Sequence, residues 1–396
     1  MSFYFNGELP ASKSLINRAL VVASFSNDLK VIGDSHADDV QLMRAGLRQL
    51  QINVTTGKTA ALECGHAGTV LRFLALRAAR EKGVHRLTGS ARLFSRPQSE
   101  LVAVLGQLGA YVEVRETEMV IRSDGWHLIV DGLQINADRS SQFASAVILS
   151  AWQLPFDLHF SVSKKVVSEG YLRMTIDLVK KLGLRVEGRG PEFFISANQK
   201  VSASEYLAEP DLSSAFTVAA LAVVDGEAVI KNFPRPSLQP DSIFVRLLEK
   251  MGAQVEGRGA DMVFRKSPAL TGINVDLDNS PDLFPVLAVL CALAKSPSEV
   301  TGVGHLKYKE SSRLERTAEL LQLMGARIEQ NESVVKIWPV KERVVGGPKI
   351  IFKVDGDHRM AMAVAVAERS GFSIQGDEMK VVSKSFPEFL QLVGAV

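Results

Sequence analysis

An α/β fold built from six repeated units is what the sequence predicts, and two interleaved patterns predict it. In the first, an apolar helical stretch ends in Leu or Met and is followed by Gly, a small or apolar residue and an extended Val-Glu-like pair. The copies are QLGAYVEV (Gly109), KLGLRVEG (Gly183), KMGAQVEG (Gly252) and LMGARIEQ (Gly325). RQLQINV carries Gln51 at the glycine position and LQLVGAV reaches Gly394, so the spacings run 58, 74, 69, 73 and 69 residues. In the second pattern, polar residues open an apolar helix. The openings are Lys13-Ser14, His66-Ala67-Gly68, Ser140-Ser141-Gln142-Phe143, Ser213-Ser214-Ala215-Phe216, Pro281-Asp282-Leu283-Phe284 and Asp357-His358-Arg359-Met360.

The glycine of the first pattern suits the residue that ends a helix in the left-handed conformation. The β-branched run after it reads as a strand. Each repeat therefore carries two helices with strands between them, a β-α-β-α-β-β unit. One such unit cannot bury both helices and a sheet, so the copies must pack together. Six units divide into two lobes of three, with the switch near Glu209-Pro210, after the loop from Ala197 to Ser204. Six equivalent helix starts would then face one shared cleft.

At 396 residues, the length suits two or three domains of ordinary size. The 46 Lys and Arg against 44 Asp and Glu leave a net charge of +2, which argues against nucleic acid as a partner. No basic stretch followed by an apolar run opens the chain, and the apolar stretch Leu283 to Ala294 is about half a membrane span. Cys64 and Cys291 lie far apart in apolar surroundings, which fits a reducing cytoplasm and neither a disulfide framework nor a zinc site. The seven histidines show no metal-ligand spacing. The expectation is a cytoplasmic protein with no metal, no nucleic acid and no membrane.

The chemistry is sought at the helix starts. Ser12 is placed to cap the first helix, and Lys13, Ser14 and Arg18 fall in its first two turns. Cations there oppose the helix dipole, and an anionic ligand would remove the conflict. Gly65 and Gly68 let a ligand approach the backbone around His66, with Arg72 one turn further in, either lining the site or at the surface. Arg92 and Arg96 precede a helix opened by Pro97, as an anion fork or a surface loop. Ser140, Ser141 and Gln142 offer hydroxyls and an amide, while Ser168 and Tyr171 flank the helix from Leu172. Asp282 is a helix cap or, among cations, a general base. Asp211 opens the fourth repeat in a similar way. Lys307, Lys309, Glu310 and Arg313 open another helix, His358 and Arg359 a further one, and Lys384 precedes the last. With no nucleophile motif, phosphate-binding loop or dinucleotide motif present, direct acid–base transfer on a phosphorylated substrate pair is the sharpest reading of these residues.

Taken in order, the stretches PASKSLINRA, ADDVQLM, GHAGTVLRF, SRP, SSQFASA, VSEGYLRMT, EPDLSSA, SPD, KESSR, GDHRMAMA and KSFPEF resemble the 5-enolpyruvylshikimate-3-phosphate synthase family over nearly the whole chain. The resemblance implies the two-lobed enolpyruvyl transferase fold, an inside-out α/β barrel of six βαβαββ units. Its lobes would be residues 13–208, mainly the shikimate 3-phosphate side, and residues 1–12 with 209–396, with the active site between them. It implies transfer of the enolpyruvyl group of phosphoenolpyruvate to the 5-hydroxyl of shikimate 3-phosphate, releasing phosphate, in the route to aromatic amino acids. No cofactor is implied, and a monomer is expected. By motif, Lys13 would bridge the substrates, and Ser14 and Arg18 would hold the shikimate carboxylate. Ser140, Ser141, Ser168 and Lys309 would hold its phosphate near Tyr171. Gly68, Arg96, Gln142 and Lys384 would meet the phosphate of phosphoenolpyruvate, and Arg313 and Arg359, beside His358, its carboxylate. Asp282 would be the base, and Glu310 with Lys13 or Lys384 the proton donor.

The chain departs from the family pattern at Ala11, His66, Phe73, His305 and Ser312. None of these removes a charged residue carried over, but His66 and His305 stand where substrate contacts would change. The competing reading is a weakened or non-catalytic binder of phosphorylated metabolites, against which the joint presence of Lys13, Asp282, Glu310 and Lys384 argues. The related UDP-N-acetylglucosamine enolpyruvyl transferases carry a Cys on a mobile loop, and the Arg92–Arg96 loop has none.

Overall fold

The computed structural model describes residues 2–341 and 348–394. It divides into two compact units, Ala11–Ala208 and Met1–Pro10 with Glu209–Val396. Ala11 and Ser12 belong with the residues that follow them, not with the N-terminal strand. The Ala11 amide donates to the Asp34 carbonyl at 2.8 Å, and the Ser12 carbonyl opens the Lys13–Ala23 helix.

The β-α-β-α-β-β unit is present four times as a four-stranded sheet of constant topology. In the Ala11–Ala208 unit one sheet orders Leu62–Glu63, Lys82–Thr88, Glu118–Asp124 and Tyr111–Val114. The first pair is parallel and the next two antiparallel. The parallel pair needs a crossover, supplied by the Gly68–Ala78 helix. The sheet from Leu133–Ile135 to Glu187–Arg189 repeats this order, as do those beginning at Phe3–Gly7 and Asn274–Asp276 in the other unit.

The remaining repeat of each unit is shortened. Among the described residues, Glu205–Leu207 pairs only with Lys30–Ile32, and Ile350–Phe352 only with Ile374–Gly376, both in parallel. The expected helix end at Gln51 is therefore a correction. The Asp38–Thr56 helix runs through Gln51 and stops at Gly57, φ 68°. Gln51 has no freedom to turn left-handed, so the helix continues to the next glycine. The strand expected beyond Gly394 lies outside the described residues.

Where the glycine is present, the helix ends as the pattern requires. Gly109, Gly183, Gly252 and Gly325 have φ of 83°, 109°, 80° and 84°. The following amide reaches back to the carbonyl five residues earlier in all four, as in Ala110 to Leu105 at 3.0 Å and Ala326 to Leu321 at 2.9 Å.

The second pattern gives the core. Lys13–Ala23, Gly68–Ala78 and Gln142–Leu149 pack on one another in one unit; Leu212–Asp225, Phe284–Leu293 and His358–Arg369 do so in the other. These helices are apolar on most faces; in Phe284–Leu293 nine of ten residues are buried. A helix apolar all round belongs inside, so the sheets lie outside it. The polar residues that open these helices are thereby gathered within each unit. We expect Gly252→Ala to lower stability by about 1–2 kcal/mol through left-handed strain, and Gln51→Gly to lower it by about 0.5–1 kcal/mol as a helix-interior glycine. Urea unfolding midpoints measure both; a higher midpoint for Gln51→Gly would contradict the continuous helix.

Candidate active site

The site is clearest in the unit containing Glu209–Val396, where three core helices begin. Asp357 caps the His358–Arg369 helix, accepting from the Arg359 amide at 2.9 Å. Its carboxylate is fully buried and also accepts from Ser311 Oγ at 3.0 Å and from Arg313 Nε at 2.8 Å and Nη2 at 3.2 Å. Arg313, 1% exposed, turns its remaining edge to two more carboxylates. Nη1 donates to Asp282 Oδ1 and Nη2 to Glu310 Oε2, each at 2.8 Å. Arg359 Nη2 lies 3.4 Å from Asp282 Oδ2 and donates to Ser213 Oγ. Lys384 Nζ is 3.5 Å from Glu310 Oε1.

Charge fixes the protonation of this cluster. Burial alone would raise the Asp282 carboxyl, but Arg313, Arg359 and Lys309 outweigh it and hold it well below the usual carboxylate range. Burial would likewise weaken the guanidinium of Arg313, but Asp357, Glu310 and Asp282 keep it charged. Asp282 is thus an ionised acceptor, as a base must be, but one of low proton affinity while its arginines hold it.

In the Ala11–Ala208 unit the cations meet mostly neutral oxygens. Arg72 donates from Nη1 to Gln142 Oε1 at 2.7 Å and Ser140 Oγ at 3.3 Å, over the Phe143 ring. Gln142 donates in turn to Thr69 Oγ1 at 3.0 Å. The Arg96 guanidinium lies against Gly68, so that a Cβ there would come within 2.8 Å of Nη1 and push the guanidinium aside. Ser141 Oγ donates to the Ser168 carbonyl at 3.0 Å. Ser168 caps the Glu169–Lys181 helix in the left-handed conformation (φ 56°), a strain of about 1–2 kcal/mol for a non-glycine residue. Arg18 donates to Thr175 Oγ1 at 2.7 Å and the Ser14 carbonyl at 2.8 Å, above the Phe73 ring. Burial brings its pKa down to about 10. Lys13 pairs with the buried Asp39 at 3.0 Å.

The sequence-predicted residues therefore fall into two sets. Lys13, Ser14, Arg18, Gly68, Arg96, Ser140, Ser141, Gln142, Ser168 and Tyr171 belong to one unit; Asp282, Lys309, Glu310, Arg313, His358, Arg359 and Lys384 to the other. His66 is exposed. His305 is buried, its Nδ1 3.9 Å from Asp278 Oδ1. One expected cap differs. Ser12 occupies the N-cap position, but its buried hydroxyl makes no cap bond, and its carbonyl serves instead. The buried Ser312 hydroxyl also makes no cap bond. Asp211 is a true cap, accepting from the Ser214 amide at 2.7 Å. Three charged members of the clusters have no role readable from the sequence: Asp39, Arg72 and Asp357. Asp39 lies within the quoted ADDVQLM motif, and Arg72 within GHAGTVLRF. Asp357 was legible only as one of the polar residues that open a helix.

Cys64 and Cys291 are buried free thiols; burial pushes Cys291 up to about 12, and Cys64 higher still. Among the described residues, no group of three or more His, Cys, Asp and Glu is placed to hold a metal ion, and no helix is long and apolar enough to cross a membrane.

The architecture is that of the enolpyruvyl transferases. EPSP synthase from Acinetobacter baumannii superposes with a TM-score of 0.75 at 21% identity, covering 99% of this chain and 95% of that one. The enolpyruvyl transferase NikO from Streptomyces tendae gives 0.71 at 14% identity, with 99% and 95% covered. The sequence narrows the class. The profile of the EPSP synthase (3-phosphoshikimate 1-carboxyvinyltransferase) family matches residues 6–392, and the chain belongs to that family of transferases. The 3-phosphoshikimate 1-carboxyvinyltransferase of Vibrio cholerae serotype O1 (strain M66-2) is 31% identical, covering 96% of this chain and 94% of that one. That of Nostoc punctiforme is 30% identical with the same coverage, and that of Methanosphaerula palustris 31% with 98% and 95%.

Because Asp357 is enclosed with the charge it balances, Asp357→Ala should destabilise the protein by about 3–5 kcal/mol, seen as a lower urea midpoint. A loss below about 1 kcal/mol, the range of an exposed pair, would contradict its central place.

Proposed function

We propose that this chain transfers the enolpyruvyl group of phosphoenolpyruvate to the 5-hydroxyl of shikimate 3-phosphate and releases inorganic phosphate. The observation that carries the reading is the joining of a base candidate and an acid candidate, Asp282 and Glu310, on one guanidinium. Arg359 and Lys384 stand beside them. Simple anion binding has no use for two carboxylates at the same arginine.

The chemistry follows from these groups. Glu310 donates a proton to the methylene carbon of phosphoenolpyruvate, and Lys384 or Lys13 restores it. The adjacent carbon becomes electrophilic. Asp282 accepts the proton of the 5-hydroxyl as its oxygen bonds to that carbon, giving a tetrahedral intermediate. Loss of a proton from the new methyl group and cleavage of the carbon–oxygen bond to phosphate complete the transfer. Arg313 and Arg359, with His358 adjacent, take the phosphoenolpyruvate carboxylate, and Gly68, Arg96, Gln142 and Lys384 its phosphate. Ser140, Ser141, Ser168 and Lys309 take the phosphate of shikimate 3-phosphate near Tyr171, while Ser14 and Arg18 hold its carboxylate and Lys13 spans both substrates. Cations placed where charge develops stabilise the transition state. Both substrates are small soluble anions, consistent with a monomer acting in the cytoplasm without a cofactor.

Phosphate release on mixing the protein with both substrates, each omitted in turn, tests this. Release only with both is expected; binding of shikimate 3-phosphate without release would instead indicate a non-catalytic binder. Asp282→Ala should lower kcat by roughly 10²–10⁴-fold while both substrates still bind, the range for loss of a general base. Near-full turnover would remove Asp282 from that role.

A further inference from the structure

The contacts of Arg313 separate into two edges of its guanidinium. The inner edge, Nε and Nη2, is taken by both oxygens of the buried Asp357 at 2.8 and 3.2 Å. The outer edge, Nη1 and Nη2, is shared by one oxygen from each of two different side chains, Asp282 Oδ1 and Glu310 Oε2, both at 2.8 Å. A single carboxylate placed on that edge would form the same two parallel bonds. Asp357 is fully buried and also fixed by Ser311 and the Arg359 amide, whereas the Asp282 and Glu310 side chains retain 22% and 17% exposure. The inner carboxylate is enclosed; the outer pair is partly open to solvent.

We propose that Asp282 and Glu310 together occupy, as an internal surrogate, the position on Arg313 that a substrate carboxylate takes, and that substrate binding displaces both and so frees them for proton transfer. This deepens the reading given above and rests on it. It removes a conflict within that reading. A carboxylate locked between Arg313 and Arg359 is a poor base, and one bonded to Arg313 and beside Lys384 is turned towards its cations and not towards a substrate carbon. Exchange of the internal pair for the carboxylate of phosphoenolpyruvate keeps Arg313 balanced, releases both side chains together and raises the proton affinity of Asp282. Neither group is then armed before the substrate that needs it has arrived.

An internal competitor has a consequence opposite to that of an ordinary substrate contact: weakening it must tighten ligand binding. Phosphoenolpyruvate alone, titrated by calorimetry, is the probe. Asp282→Asn and Glu310→Gln should each bind it more tightly than the parent protein, by roughly 5- to 100-fold, the usual span of a coupling between two ligands of one site. The gain should vanish when either change is combined with Arg313→Gln, because the competition runs through that guanidinium. Removal of simple charge repulsion would instead leave the gain in the Arg313→Gln background, and that result overturns the proposal. Unchanged or weaker binding in both single variants, with the parent binding normally, also overturns it. The two substitutions are independent, so misfolding of one leaves the other as the test. Should the parent bind no phosphoenolpyruvate, with or without shikimate 3-phosphate, the functional reading itself fails and the proposal with it.

Discussion

A guanidinium enclosed as Arg313 is cannot be left without a counter-charge, and the carboxylate that supplies it, Asp357, is itself without access to water. Each would be strongly destabilising alone. Together they tie the start of the Arg313–Leu323 helix to the start of the His358–Arg369 helix, and through the outer edge of Arg313 they reach Asp282 before the Phe284–Leu293 helix. One ion pair thus holds these helix starts, and the charged side chains they carry, in fixed relation within the unit.

The repeat explains why such a cluster forms. A core helix apolar all round leaves its first turn as the place for polar side chains, and three packed core helices bring three such turns together. Amides at helix starts favour anions. In the unit containing Arg313 the anions are built in, as Asp211, Asp282 and Asp357. In the Ala11–Ala208 unit the corresponding starts carry hydroxyls, an amide and glycine, and Arg72 is met by Gln142 and Ser140. The same architecture therefore yields one cluster rich in carboxylates and another of mostly neutral donors and acceptors around cations.

Much of the fold was legible because the pattern repeats. A glycine at the helix end and a polar opening before an apolar helix are local signals, and both recur where they were read. Gln51 shows the limit: the flanking Ile52 and Val54 suggested a strand, yet both sit about two-fifths exposed on a continuing helix. Strand content in the shortened repeats depends on pairing partners far along the chain, as for Lys30–Ile32 with Glu205–Leu207. At the site, charged residues were legible by type, but their partners were not. Arg72 reads as either site or surface until the helix is seen to be buried, and Asp357 reads only as a polar helix opening because nothing local says that Arg313 faces it. Ser12 failed as a side-chain cap for the same reason: its hydroxyl is enclosed, and the backbone carbonyl takes the role.

The central claim is that this site moves a proton onto the methylene carbon of phosphoenolpyruvate and then off it again. Running the reaction in heavy water and weighing the product by mass spectrometry tests that directly. Protonation makes a transient methyl group whose hydrogens are equivalent, so the account predicts deuterium in the enolpyruvyl group of the product. Product formed with no deuterium there would contradict it, since the carbon would never have been protonated by groups in exchange with solvent.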